Sequence, residues 1–153
     1  MIRKGIPSDV EAIVEIAIES VSRNPIPVII DRKAIKAQVI ECMGPAHFCW
    51  VSVIDGEVVG AVGAYVQPSF WHQRNVCSVL LYYTRVPGEG LKLIRQFARW
   101  VKDRPAIKVA VIEFEPETDP RLIRWMRRLG FTRESVNLSY VRERKEIQAT
   151  SVL

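Results

Sequence analysis

The residues best suited to chemistry are an arginine and two glycines in the segment Arg85-Val86-Pro87-Gly88-Glu89-Gly90. This segment follows a β-rich run at 76–84 and precedes an apolar pattern with helical period. Glycines at such a turn let the backbone approach a phosphate closely, and the first amides of a helix have no internal partner. Arg85 adds positive charge. The segment therefore predicts a pyrophosphate site, with a simple strand-to-helix turn as the alternative interpretation.

Three residues are candidates for a general base. Glu113 and Glu115 lie at the end of a later β-rich run, where carboxylates beside a partly buried cleft can accept a proton. A solvent-exposed strand end is the alternative interpretation of both. Tyr83 is a weaker candidate, because an aromatic residue at a strand position usually belongs to the core.

The cysteines and histidines argue against other chemistries. Cys42, Cys49 and Cys77 lack C-x-x-C spacing, which predicts buried free thiols rather than a disulfide framework or a zinc site. Cys77 as a nucleophile would need an activating neighbour. Only two histidines are present, His47 and His72, and they are too few to indicate a metal site.

The elements that must position these residues follow the order β-α-α-β-β-β-α-β-α-β, which predicts one α/β domain with a mixed sheet flanked by helices. Residues 1–4 form the first strand, and the capping-box pattern Ser8-Asp9-Val10-Glu11 starts the first helix. A second helix covers 31–43. The runs 47–54 and 57–66 form a hairpin through Asp55-Gly56, a pair that favours a type I′ turn.

The second half of the chain alternates strands and helices. A strand at 76–84 leads into a helix that ends near Asp103, and a strand follows at 107–114. Thr118 or Asp119 caps the next helix, with Pro120 at its first position. A final strand is predicted at 132–142, and 143–153 is predicted to be a frayed tail.

Composition and charge limit the functional class. The chain has 153 residues, a net charge of +5 and a pI near 9.3, which suit a phosphate-rich partner such as CoA, tRNA or DNA. The N-terminus lacks a hydrophobic signal core, and no apolar run approaches the roughly 20 residues of a membrane span. We therefore expect a soluble cytoplasmic protein without a membrane partner.

Several segments together resemble the GNAT acetyltransferase superfamily. The turn matches the family's acetyl-CoA signature Q/R-x-x-G-x-G/A, and Leu129-Gly130-Phe131 resembles the L-G-F that closes its penultimate helix. Ile2-Arg3-Lys4 before a capped helix is similar to the family's opening, and Asp55-Gly56-Glu57-Val58-Val59-Gly60 to its hairpin. The resemblance covers 1–142, which would form the GNAT-like domain, with 143–153 as a C-terminal tail.

The resemblance implies an N-acetyltransferase in which an amine attacks acetyl-CoA directly. The amides from Val86 to Leu91, including those of Gly88, Glu89 and Gly90, would hold the pyrophosphate beside Arg85. Tyr82, Tyr83 and Thr84 would lie along the pantetheine arm, and the strands 76–84 and 107–114 would splay apart to admit the thioester. The acceptor would be a small molecule, a protein or an aminoacyl-tRNA.

Two alternative functions remain, and one exposed loop has two possible roles. The family often has a tyrosine, which protonates the departing thiolate, where this chain has Met126, so a non-catalytic GNAT-like binding or structural module is one alternative. Arginines on the predicted helices make a basic nucleic-acid-binding domain the other. The aromatic loop around Phe70 and Trp71 suits an acceptor wall or a subunit contact in a homodimer.

Overall fold

The computed structural model describes residues 1–24, 26 and 28–142 as a mixed five-stranded sheet with four helices. The strands lie in the order β1-β2-β3-β4-β5, with β1 to β4 antiparallel and β5 parallel to β4. The strands are β1 Ile2–Lys4, β2 Phe48–Ile54, β3 Glu57–Pro68, β4 Asn75–Thr84 and β5 Ile107–Val111; the helices are α1 Val10–Ser22, α2 Arg32–Cys42, α3 Glu89–Lys102 and α4 Pro120–Arg128. Among the described residues, no helix is long and apolar enough to cross a lipid bilayer.

Helices cover both faces of the sheet, because the helical apolar stripes pack on strands whose side chains alternate between the two faces. α1 and α2 bury Ile13, Val14 and Val39 against one face. On the other face, α3 and α4 bury Phe97 and Met126. The predicted mixed sheet flanked by helices, in a single α/β domain, is confirmed.

Local turn chemistry is also confirmed where it was clearest. Asp55 and Gly56 both have positive φ, at 52° and 79°, as the hairpin between β2 and β3 requires. Pro120 is the first residue of α4, and the Asp119 side chain accepts a hydrogen bond from the Arg121 amide at 2.9 Å. The helix therefore begins where the sequence predicts.

The predictions for the last two strands need correction. The strand expected at 107–114 ends at Val111, since its pairing with β4 stops there. The expected strand at 132–142 is wrong, because these residues form no strand. Two exposed side-chain contacts link the segment to the rest of the domain: Arg127 pairs with Glu134 at 2.8 Å, and Asn137 donates to Glu113 at 3.1 Å. The predicted tail at 143–153 lies outside the described residues.

The capping box predicted at Ser8 is wrong in its contacts, although the helix does begin at Val10. Residues Pro7–Asp9 form a 3₁₀ turn, and the buried Asp9 carboxylate accepts two hydrogen bonds from Arg3, at 2.6 and 3.0 Å, and one from the Ile6 amide at 2.9 Å. The Arg3 guanidinium, with help from the Ile6 amide, lowers the pKa of Asp9 below its usual value. An ion pair between β1 and the start of α1 replaces the predicted cap.

We expect Asp9→Asn to lower the free energy of unfolding at pH 7 by about 1–3 kcal/mol, because it removes the charge of a buried carboxylate that accepts hydrogen bonds from the partly exposed Arg3 and from the Ile6 amide. A lowered carboxyl pKa stabilises the fold above the unfolded pKa of about 3.9, and this contribution is lost as the pH falls through the folded value. The difference between Asp9→Asn and the native protein should therefore shrink in urea unfolding at pH 3. Glu11→Gln, in an exposed ion pair with Lys36, is the control and should change stability little. An undiminished difference at pH 3 would contradict this assignment.

Candidate functional site

The turn between β4 and α3 is the centre of the candidate site. Gly88 precedes α3 with a left-handed φ of 89°, a conformation that glycine adopts without strain. The Thr84 hydroxyl donates to the Val86 carbonyl at 3.0 Å and accepts from the Val86 amide at 3.2 Å. The Glu89 amide donates to the same carbonyl at 3.3 Å. These bonds close the turn and occupy two of its amides.

Three other amides of the turn remain available. No group among the described residues accepts a hydrogen bond from the amides of Gly88, Gly90 or Leu91. They lie at the N-terminus of α3, a helix of 14 residues, where the helix dipole favours an anion. The sequence predicted that the amides from Val86 to Leu91 are available to an anion. Among the described residues, only those of Gly88, Gly90 and Leu91 are.

Glu89 places a carboxylate inside this turn, where Lys92 and Ser52 pair with it. The side chain is nearly buried; it accepts hydrogen bonds from the Ser52 hydroxyl on β2 at 2.5 Å and from the Lys92 ammonium at 2.8 Å. Lys92, and then Ser52, lower the pKa of Glu89 below its usual value. The carboxylate thus ties the start of α3 to the sheet. Sequence reasoning missed this role, because Ser52 lies 37 positions away.

Arg85 does not reach into the turn as expected. Its guanidinium binds Glu19 on α1 with a distance of 2.7 Å, and its amide donates to the Val59 carbonyl at 2.8 Å. The arginine therefore fixes the turn against α1 and β3. The role of Arg85 beside a pyrophosphate stays a prediction.

A cleft opens beside the second half of β4. Pairing with β5 covers only the start of β4, up to Ser78 opposite Val111. Beyond it, Leu80 is an extra residue in the ladder with β3, since Gly63 pairs with Leu81 and Ala64 with Val79. Such a bulge bends a strand and leaves its extra residue unpaired. The described residues therefore leave the edge of β4 from the bulge to Thr84 without a partner strand, and this edge leads straight to the turn.

Tyr82 and Tyr83 lie on opposite faces of β4. The Tyr82 ring contacts Phe114 edge-to-face across the cleft, with 6.1 Å between centroids, and its hydroxyl lies against Gly90. Burial raises the pKa of Tyr82, so its hydroxyl stays protonated. Tyr83 packs on the α1 face, where the Arg23 guanidinium lies 5.5 Å from its ring centre. The two tyrosines therefore do not belong to one site.

The candidate bases Glu113 and Glu115 and the position expected for an acid, Met126, do not form one cluster. Glu113 and Glu115 follow β5 and are exposed, and Asn137 hydrogen-bonds to Glu113. Met126 is buried in the core between α3 and the sheet, so the position of the family's tyrosine supplies no acid here. The roles of Glu113 and Glu115 as general bases stay a prediction.

The three cysteines are buried, as predicted, and are free thiols. Burial raises the pKa of Cys42 and raises that of Cys49 and of Cys77 to about 12. A thiol with such a pKa supplies almost no thiolate at neutral pH. Cys77 is therefore not suited to nucleophilic catalysis.

The aromatic loop lies away from the turn, whereas the basic face of α3 reaches it through Lys92. Phe70 and Trp71 are almost fully exposed and precede Asn75, whereas the turn follows Thr84, at the other end of a ten-residue strand about 30 Å long. Arg121 binds Asp119, and Arg95 lies over the Trp125 ring. Of the basic residues on these helices, Lys92 contacts the turn, through Glu89, whereas Arg95 and Arg121 make contacts elsewhere.

Comparisons of the fold found many solved structures of the same architecture, whereas no family model and no curated protein sequence matches the chain. The aminoglycoside acetyltransferase meta-AAC0020 from an uncultured soil metagenomic sample aligns over 94% of this chain and 95% of its own, at 13% identity and a TM-score of 0.65. The ribosomal-protein-alanine N-acetyltransferase of Brucella melitensis biovar Abortus 2308 aligns over 94% and 97%, at 16% identity and a TM-score of 0.64.

A third structure of the same fold is named as a transcriptional regulator and not as an acetyltransferase. A transcriptional regulator from Bacillus halodurans C-125 aligns over 92% of this chain and 99% of its own, at 18% identity and a TM-score of 0.63. At these identities the likeness concerns the fold, and one fold hosts many functions. The site therefore has to carry the functional argument.

Proposed function

Starting from the GNAT acetyltransferase fold, which this chain has, we propose that the protein is an N-acetyltransferase that uses acetyl-CoA as co-substrate. The observation that carries the proposal is the continuity of two features: the unpaired edge of β4 and the free amides of Gly88, Gly90 and Leu91 at its end. An extended pantetheine arm can add to a strand edge as a peptide does, while the amides hold the pyrophosphate. Arg85 and Glu89 support the turn from both sides.

The bulge supplies the chemistry near the thioester. Leu80 lies outside the ladder with β3, so its backbone can hydrogen-bond to a thioester carbonyl and to the oxyanion that develops there. The acceptor nitrogen bonds to the acyl carbon, the carbon–sulfur bond breaks, and its electron pair stays on sulfur. Glu113 or Glu115, acting through water, takes the proton from nitrogen. With Met126 buried, the thiolate takes its proton from solvent.

The thermal midpoint with and without acetyl-CoA tests this proposal. A ligand at 100 times its Kd that binds only the folded state adds about 2.7 kcal/mol, which is roughly 5–10 °C for a domain of this size. Acetyl-pantetheine keeps the thioester and the pantetheine arm but lacks the pyrophosphate together with the 3′-phosphoadenosine, so it should shift the midpoint far less. Equal shifts, or none with acetyl-CoA, would contradict the assignment of the turn.

The remaining features of the proposal rest on the sequence and on the exposed loop around Phe70. The domain is residues 1–142, the location is cytoplasmic, and the acceptor is an amine on a small molecule, a protein or an aminoacyl-tRNA; the exposed loop around Phe70 would be the contact of a homodimer. Tight acetyl-CoA binding without transfer to any amine would favour the non-catalytic module, for which the buried Met126 is the specific observation.

A further inference from the structure

An apolar cavity of about 150 Å³ lies between the helices α1 and α2 and the sheet, and the proposed reaction does not yet use it. Its lining combines buried residues with partly exposed ones, and the most exposed of them is Leu80 at the bulge of β4, which is half exposed. The cavity is therefore open to the surface and borders the bulge, beside the site assigned to the thioester carbonyl. Its described lining residues are Ile13, Ala17, Ser20, Val21, Ile35, Gln38, Val39, Cys42, Cys49, Gly63, Leu80 and Leu81.

The lining carries no formal charge among the described residues. Its polar groups are the Ser20 hydroxyl, the Gln38 amide and the thiols of Cys42 and Cys49. Burial raises the pKa of both thiols, so they remain neutral. A charged group inside the cavity would be desolvated without a partner, which costs several kcal/mol. An uncharged apolar group is the occupant that this lining favours.

The direction of attack connects the cavity with the acceptor. A nucleophile approaches a carbonyl carbon from above or below the carbonyl plane, and a thioester that pairs with the edge of β4 lies close to the plane of the sheet. The two approaches are therefore the two faces of the sheet. On the α3 face, the rings of Tyr82 and Phe114 occupy the cleft. On the α1 face, the cavity beside Leu80 and Leu81 leaves space.

We propose that the cavity is the acceptor subsite and that it takes a primary amine bearing one uncharged apolar group of about the size of a benzene ring. An apolar cavity of about 150 Å³ holds such a group. This inference rests on the proposed acetyltransferase function and narrows its acceptor class. Polycationic amines are excluded from the subsite, because its described lining offers no carboxylate to pair with them.

Three amines that share an aminoethyl group test the acceptor class. With acetyl-CoA saturating, we expect kcat/KM for 2-phenylethylamine to exceed that for 2-aminoethanol by on the order of a hundredfold. We expect kcat/KM for 2-phenylethylamine to exceed that for 1,4-diaminobutane by a similar factor. Equal rates, or a preference for the diamine, would overturn the proposal. Preference for a six-carbon acyl-CoA over acetyl-CoA, lost when the cavity is filled, would assign the cavity to the acyl chain and overturn it as well.

Cavity-filling variants locate the effect. Ala17→Leu fills the cavity from α1 and should raise KM for 2-phenylethylamine on the order of tenfold, with the Kd for acetyl-CoA unchanged. Ala98→Leu makes the same change on α3, outside the cavity, and should alter neither value. Gly63→Ala is a smaller filling, since its Cβ would have ordinary contacts at 3.8 Å, and it serves if Ala17→Leu does not fold. An unchanged KM in both filling variants would refute the subsite.

Binding without turnover separates this inference from the proposed function. Saturable NMR shifts of the Ala17, Gly63 and Leu81 amides on adding 2-phenylethylamine would support the cavity as an apolar ligand site, whether or not acetyl-CoA binds. Loss of acetyl-CoA binding alone would refute the proposed function. Absence of saturable shifts, with acetyl-CoA bound, would refute the acceptor subsite alone.

Discussion

Gly88→Glu is expected to weaken acetyl-CoA binding at least about 100-fold. The left-handed φ of 89° costs a residue with a side chain about 1–2 kcal/mol, and a carboxylate beside the free amides repels the pyrophosphate as well. No atom lies within 4 Å of the position of the new Cβ, so the loss would come from strain and charge and not from a steric clash. Isothermal titration calorimetry measures the Kd directly.

Gly130→Glu is the matched control for this substitution. Gly130 also has a positive φ, at 109°, and open space at its Cβ, but it follows α4 instead of preceding α3. Both variants should lose similar stability, whereas only Gly88→Glu should lose binding. Gly88→Ala separates the two causes, because it adds strain without charge and should give an intermediate Kd. Equal Kd values for the two glutamate variants would show that the turn does not hold the pyrophosphate.

Local chemistry explains what the sequence predicted well. Asp55-Gly56 and Asp119-Pro120 specify their turns through their own backbone preferences, and the structure places both turns as expected. Gly88 falls in the same class, because a left-handed residue before a helix favours glycine. The order of the elements up to α4, and the left-handed turn that precedes α3, could therefore be derived from short segments.

Long-range contacts explain what the sequence could not predict. Alternation along β4 predicts that Cys77, Val79, Leu81 and Tyr83 share one face, yet the bulge at Leu80 reverses the faces: Cys77 and Val79 pack toward α3, and Leu81 and Tyr83 toward α1. No local pattern marks such a bulge. The same limit applies to contacts between distant segments, such as that of Arg85 with Glu19.

The errors at the strand ends have a related cause. The run 107–114 is β-rich throughout, but a strand lasts only as long as its partner, and β4 diverges after Ser78. That divergence opens the cleft, so the prediction failed where the candidate site lies. The residues 132–142 alternate like a strand, yet no neighbouring strand pairs with them among the described residues. The apolar cavity, built from two helices and three strands, likewise has no signature in any one segment.

Gly90→Ala is expected to lower the free energy of unfolding by about 1–3 kcal/mol, although alanine is intrinsically the better helix former by about 1 kcal/mol. A Cβ at this position would lie 2.5 Å from the Tyr82 hydroxyl oxygen, and the Tyr82 ring is held against Phe114. In a Tyr82→Phe background the closest remaining contacts are 3.2 Å, from the Tyr82 Cε2 position and Thr84 Cγ2, so most of this cost should disappear. Urea unfolding of the four proteins in the double-mutant cycle should therefore give a coupling of about 1–2 kcal/mol.

Tyr83→Phe provides the matched control for that cycle, since Tyr83 is the next residue but packs on the α1 face. Its cycle with Gly90→Ala should be additive within about 0.5 kcal/mol. Because the amide of Gly90 is one of the three free donors, the Kd for acetyl-CoA should rise in Gly90→Ala and recover when Tyr82→Phe is added. Equal coupling to both tyrosines would mean that the methyl group perturbs the whole turn, and the close approach of β4 to α3 would then not be what requires glycine at position 90.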